Sequence, residues 1–239
     1  LGKATGDNGL NGEDGDAFFK GVSIADGFVI FTLNDKESTE IKIPFYSETE
    51  LTIHVTDPGT LKSLLTDEQM RTTLKIVVSG KINDIDLRTI ATNMTAIEYI
   101  DLSNAVYINT NNMIEWSFCG GELLTPQSAY GNKTIKTIIL PQIPDQSTLS
   151  YLWLNHPFEG CTNLKQVIIG VDCYAYAKNA QCPNLERLIY RDGVKTIKDS
   201  GHFHSSFPIV DIPQTVIAVD ESAFYADPER TVILRNPTP

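Results

Sequence analysis

Few residues in this chain are of a type and spacing that could do chemistry. His202 and His204 form an H-x-H pair. On a strand this spacing puts both rings on one face, which is half of a metal site. A complete site needs three or four converging ligands, and the spacing supplies no third, so no metal is expected. His54 and His156 stand alone and read as surface or capping residues. The cysteines are Cys119, Cys161, Cys173 and Cys182, with no C-x-x-C among them, which argues against a zinc ribbon. Asp7, Asn11, Glu13, Asp14 and Asp16 are oxygen donors, and counting from Asp7 puts Gly12 at the sixth place of a calcium loop. The twelfth place is Phe18, where an EF-hand needs a bidentate Glu, so that pattern fails and looser calcium binding stays open.

No nucleophile is assembled. The chain has no G-x-S-x-G elbow, no Cys beside a His-bearing motif and no phosphate-cradling glycine loop. Carboxylate pairs such as Asp84/Asp86 and Glu98/Asp101 occur among 30 acidic residues, and nothing separates their environments as acid–base catalysis requires. The expectation is a protein that is not an enzyme and uses no cofactor.

The elements that would position these residues are better defined. The 239 residues are 41% hydrophobic and 21% charged, a globular composition. A net charge of −11 opposes nucleic acid and anionic bilayers, which need clustered Lys and Arg. No apolar run approaches the ~20 residues that span a bilayer. Leu1-Gly-Lys opens without a charged n-region and an apolar h-region, so a signal peptide is not read here.

Residues 1–16 carry Gly6, Gly9, Gly12 and Gly15, four G-x-y triplets without Pro. That is too few for a collagen helix, and a flexible or extended tether is expected. Residues 17–46 read as a small β-hairpin domain: Val22-x-Ile24, a turn at Asp26-Gly27, Phe28–Leu33, a second turn, then Glu40–Pro44. Residues 47–239 read as the main domain, with an N-terminal cap at 47–72. In the cap Leu51, Ile53 and Val55 alternate as a strand. Asp57-Pro58 then opens a helix with a Leu61, Leu64, Leu65 stripe. A second helix carries Leu87, Ile90, Ala91 and Met94, capped by Asp86.

A short motif, L-x-x-I-x-L, recurs with its central residue at Ile76, Ile100, Ile138, Val167, Leu188, Val210 and Val232. Cys161-x-x-Leu164-x-x-Val167-x-Ile169 returns 21 residues on as Cys182-x-x-Leu185-x-x-Leu188-x-Tyr190. So short a period means stacked units, none of which can bury its apolar face alone. Cys161 and Cys182 sit at equivalent corners as small buried thiols, with an inter-coil disulfide as the other option. Gly193-Val194-x-x-Ile197 matches Thr215-Val216-x-x-Val219 as a second half-repeat. Residues 105–134 and 141–157 interrupt the period as insertions, which in stacked repeats often serve binding.

PFEGCTNLKQVIIG and FPIVDIPQTVIAVDESAF resemble the BspA-like leucine-rich repeat, in which I-P-x-x-V-x-x-I-x-x-x-A-F precedes C-x-x-L-x-x-I-x-L-P. LKIVVSGKINDIDLRTIATNMTAIEYIDLSNA looks like the first coils of such proteins, and the similarity spans about 50–235. Residues 14–44 look like a short domain found ahead of these repeats in surface proteins of anaerobic gut bacteria. The coil at 198–206 departs, with HFHSSF in place of A-F-x-x-C. The resemblance implies an α/β to mostly β chain: a right-handed leucine-rich repeat solenoid of about seven short parallel strands with an irregular convex side. It also implies export, a lipid anchor on a leader outside this sequence, and adhesion to an extracellular protein or glycoprotein.

On such strands the residue after the central one points outward. That column reads Val77, Asp101, Ile139, Ile168, Ile189, Asp211, Ile233. Ile139, Ile168, Ile189 and Ile233 are the expected ligand-binding residues, rimmed by Lys136, Lys165, Gln166, Arg187 and Arg230. The competing reading is that β-branched residues suit any strand and pack on one another, or that an insertion loop covers them. A glycan-binding component of a polysaccharide-uptake system that stacks sugars on Trp116, Tyr130, Tyr151 and Trp153, an enzyme, and a spacer without a ligand are the alternatives.

Overall fold

The computed structural model describes residues 19–25, 28–44, 50–109, 113–115, 117–118, 132–144, 152–155, 157–158, 160–176, 182–199, 209–220 and 231–235. The triplets of 1–16, Cys119, Trp116, Tyr130, Tyr151, His156, the His202/His204 pair and Arg230 lie outside them. The chain is mostly strand with few helices, and it divides into two compact units, Leu1–Ser47 and Glu48–Pro239.

The first unit holds one antiparallel sheet in the order β1 (Phe19–Ala25), β2 (Phe28–Leu33), β3 (Glu40–Pro44). Val22, Phe31 and Ile41 are paired across the three strands, and so are Ile24, Val29 and Ile43. Directly paired residues share a face.

In the second unit, β4 (Glu50–Val55), β5 (Lys75–Ile82) and β6 (Tyr99–Tyr107) begin a parallel sheet. It continues with β8 (Thr137–Ile139), β10 (Gln166–Ile169), β12 (Arg187–Tyr190), β14 (Ile209–Ile212) and β16 (Thr231–Leu234). A second parallel sheet holds β7 (Met113–Glu115), β9 (Leu152–Asn155), β11 (Cys173–Tyr176), β13 (Thr196–Asp199) and β15 (Ala218–Val219). From β6 onward the chain passes between the two sheets strand by strand. Between β4 and β6 lie a 3-10 turn at Leu61–Leu64, helix α1 (Asp67–Thr72) and helix α2 (Asp84–Asn93).

The recurring motif sets the register. Ile76, Ile100, Ile138, Val167, Leu188, Val210 and Val232 are successive pairing partners across the long sheet. From Ile76 to Val210 each is at most 1% exposed. They join Ile114, Leu152, Leu154 and Ile197 of the other sheet in one core. A register slip of one residue would turn this row outward, so the apolar spacing fixes the pairing. Ile197 likewise pairs with Val219, as the half-repeat requires.

Three expectations need correction. The long sheet has eight strands, because β4, read as part of a cap, pairs with β5 in parallel. The intervening segments, expected to be irregular, carry the second sheet, including β7 and β9 within the two insertions. Neither Asp57 nor Asp86 is an N-cap. Gly59, at φ +90°, bends the chain after Pro58, and only the 3-10 turn follows. Helix α1 is capped by Thr66 in a reciprocal box with Gln69, and α2 by Asn83 in a box with Asp86. The α2 stripe does pack inward: Leu87, Ile90, Ala91 and Met94 are all buried.

Candidate functional site

The outward column of the long sheet forms as one row. Thr52, Val77, Asp101, Ile139, Ile168, Ile189, Asp211 and Ile233 are successive partners. Strand alternation turns this row away from the core. Burial then separates its members. Ile168 and Ile189 are half-buried side by side, and Ile233 is 36% exposed on the edge strand β16. Ile139 is only 1% exposed, although it lies outside the main core cluster. This corrects the expected strip: Ile139 is covered on its outer side and offers no surface. Asp211 also divides Ile189 from Ile233, so the contiguous apolar patch is Ile168 with Ile189.

The two lysines of the basic rim are paired. Lys165 pairs with Glu186 at 3.2 Å and Lys136 with Glu98 at 2.7 Å, each across neighbouring strands. Lys75 pairs with Glu50 at 3.0 Å in the same way. The Glu50 carboxylate, which accepts a hydrogen bond from it, raises the Lys75 pKa above the ordinary lysine value. Gln166 and Arg187 are register partners, both half-buried, at the start of the Ile168 and Ile189 strands. At the other end of these strands Arg235 donates from Nε to Asp211 at 2.6 Å and from Nη2 to the Tyr190 carbonyl. The face therefore presents two isoleucines beside the paired Lys165, the neutral amide of Gln166 and the half-buried guanidinium of Arg187.

A second feature was missed from sequence. Glu50, Leu74, Lys75, Glu98 and Tyr99 line an open hollow of about 460 Å³ at the start of β4, β5 and β6. The Lys75 ammonium stands 5.3 Å from the centre of the Tyr99 ring. The repeat alignment contained part of the signal, since Lys75 and Tyr99 each precede a central residue; Glu50 joins them in register through β4.

Asp84, Asp86 and Asp101 each accept hydrogen bonds from neighbouring groups. Asp86 is fully buried, and it accepts from the backbone N–H groups of Gly59 at 2.6 Å, Leu61 at 2.9 Å and Asn83 at 3.0 Å. Asp84 accepts from the Tyr107 hydroxyl at 2.5 Å, Ser117 at 3.0 Å and Asn109 at 2.9 Å. Burial, and then the Asp84 carboxylate, hold the Tyr107 hydroxyl well above the ordinary tyrosine range, so it stays protonated. Asp101 accepts from the backbone N–H and hydroxyl of Ser103. These acceptors are used to fix loops.

Among the described residues no group of three or more His, Cys, Asp and Glu could hold a metal ion. Among them also, no helix is long and apolar enough to cross a membrane. Trp153 lies in β9, but its side chain is outside the described set. No known family model matches the chain, and no curated protein is significantly similar to it.

Proposed function

We propose that residues 47–239 are a right-handed leucine-rich repeat solenoid of the BspA-like kind, exported and surface-associated. Its outer strand face binds an extracellular protein or glycoprotein without catalysis. The observation that carries the solenoid reading is the in-register row from Ile76 to Val232, with the chain alternating between two parallel sheets. The binding reading rests on the half-buried pair Ile168 and Ile189, with Gln166, Arg187 and Lys165 beside them. An apolar centre with a polar rim suits a protein partner. The test is binding of the purified chain to immobilised matrix proteins and mucins, beside I168E/I189E with circular dichroism to check folding. Loss of binding in a folded double variant supports the face; equal binding by both sinks it.

A second reading is favoured by the hollow at Tyr99. The Tyr99 ring, beside Lys75 and in one hollow with Glu50 and Glu98, offers an aromatic surface with polar donors and acceptors around it, which suits a sugar. Binding of soluble polysaccharides that is lost in Y99A and kept in I168E/I189E would support it.

A further inference from the structure

One strand of the long sheet carries a charge pattern of its own across the outward face. On β12, Arg187, Ile189 and Arg191 alternate. Arg187 and Ile189 are register partners of Gln166 and Ile168. Arg191 stands just past the strand, yet its backbone N–H still bonds the Ile169 carbonyl at 2.8 Å, as the Arg187 N–H bonds the Lys165 carbonyl at 3.0 Å. The alternation therefore runs on through Arg191, and these three side chains leave on one side. The last turn behaves the same way: Arg235, two places after Ile233, reaches Asp211 of the outward row at 2.6 Å.

Nothing answers the charge of the two β12 arginines. Lys136, Lys165 and Arg235 each hold a carboxylate. Arg187 and Arg191 are half-buried, and among the described residues their side chains make no hydrogen bond and no ion pair. Asp211, next to Ile189 in the outward row, is held by Arg235. Gly170, at the place equivalent to Arg191 in the turn before, has no side chain to cover it. A guanidinium partly withdrawn from water is best met by a carboxylate, which matches its planar fork with two parallel bonds.

Spacing chooses the rest of the occupant. Residues two and four apart on a strand are separated by ~6.7 and ~13 Å, so Ile189, backed by Ile168, lies midway between the arginines. A second extended chain repeats at the same interval. Within five residues it sets an acidic side chain at each arginine and an apolar one on the isoleucines. A helix needs about nine residues to reach both arginines, too few to stay helical alone in water. A long polyanion meets a chain of net charge −11 and offers nothing apolar to the isoleucine pair.

We propose that the outward face of β12 takes an extended acidic–apolar–acidic segment of a partner protein. One carboxylate sits on Arg187, one on Arg191, and an apolar side chain between them on Ile168 and Ile189. The inference rests on the protein-binding reading of this face and names the chemistry of the partner. The test is an NMR titration of the full chain, followed on isoleucine methyl and arginine Nε signals. The probe is a blocked five-residue peptide of glutamate, serine, isoleucine, serine and glutamate. The same peptide with glutamine for both glutamates, and heparin as a long polyanion, run beside it. The expected result is saturable shifts at Ile168, Ile189, Arg187 and Arg191, with a Kd on the order of 1 mM for so short a peptide. R187Q and R191Q should each weaken it about tenfold, the worth of one hydrogen bond to a charged group, and the glutamine peptide should bind more weakly still. No saturable shift by about 5 mM peptide, equal binding of the glutamine peptide, or unchanged affinity in R187Q and R191Q would overturn the inference. So would heparin binding through these arginines where the peptide fails. A matrix protein or mucin that binds the parent and not I168E/I189E, yet ignores R187Q and R191Q, would overturn it while leaving the face as a binding site. Failure of the peptide together with equal partner binding by parent and I168E/I189E would sink both readings.

Discussion

The Cys182 thiol lies 2.8 Å from the carbonyl oxygen of Phe158, in the preceding turn of the chain. Cys161 makes the same contact to Phe118 at 3.3 Å, and Asn132, three residues before Ile135 as each Cys is before its Leu, donates to the Ala91 carbonyl at 2.9 Å. One corner position therefore ties each unit to the one before it. Both are buried thiols not joined in a disulfide, so the corner-thiol reading holds for them. In site-resolved alkylation, Cys161 and Cys182 should react only as the chain unfolds in urea. C161A and C182A should each cost about 1–3 kcal/mol, from a small cavity and an orphaned carbonyl.

Gly80 should tolerate no side chain. It has φ +87°, and a Cβ there would fall 2.1 Å from the Val55 carbonyl oxygen. That oxygen belongs to a neighbouring strand and cannot move without breaking the β4–β5 ladder. G80A should destabilise by roughly 2–4 kcal/mol, combining strain at positive φ with overpacking, as read from the urea midpoint.

Asp86 and Asp84 should separate in a stability assay. D86A leaves three backbone N–H groups without their acceptor in a buried site, and should cost about 3 kcal/mol or more. D86N keeps the shape but loses the charge and one acceptor, and should recover part of that. Neither change should alter a binding signal carried by Ile168 and Ile189.

Tyr107 sets an alkaline limit. Its folded pKa is raised by burial and by Asp84, while the unfolded hydroxyl ionises near 10. The native state thus holds a proton that the unfolded chain gives up. Its contribution is fully present below pH ~10 and is lost progressively above it. Y107F should be less stable than the parent at pH 7, through the lost bond to Asp84, and should lose less stability between pH 9.5 and 11. The difference between the two thermal-unfolding profiles is the measurement.

The ion pairs Lys165–Glu186 and Lys136–Glu98 are half-exposed and should be worth ~1 kcal/mol or less each. K165A should therefore shift the melting temperature by about 3 °C at most. A larger fall in partner affinity than in stability would mark Lys165 as a contact residue.

How far the fold was legible follows from which residues carry information locally. The inward row was readable because its spacing is fixed by the pleat and by burial, so Ile76 to Val232 could be aligned without coordinates. The second sheet was readable only where the half-repeat aligned Ile197 with Val219, since strands of two to four residues such as Met113–Glu115 lack room for a pattern. Alternation placed Ile139 on the outer side, but what covers an outward residue depends on other segments, and cover by an insertion loop was open for the whole column without singling out Ile139. Asp86 was misread for a similar reason: two of its three donors, Gly59 and Leu61, come from a turn about 25 residues away.

The in-register ladder also dictates how the second unit yields under load. Each turn from Val167 onward advances 21 or 22 residues yet adds one strand spacing to the stack. Pulling along the stack peels a parallel ladder one strand at a time, beginning at β16, whose Val232 and Leu234 are 41% and 68% exposed. Each turn released frees about 70 Å of extended chain in place of ~5 Å of stack. Tension on this protein would be absorbed as a series of small, equal steps, with the rest of the ladder still folded.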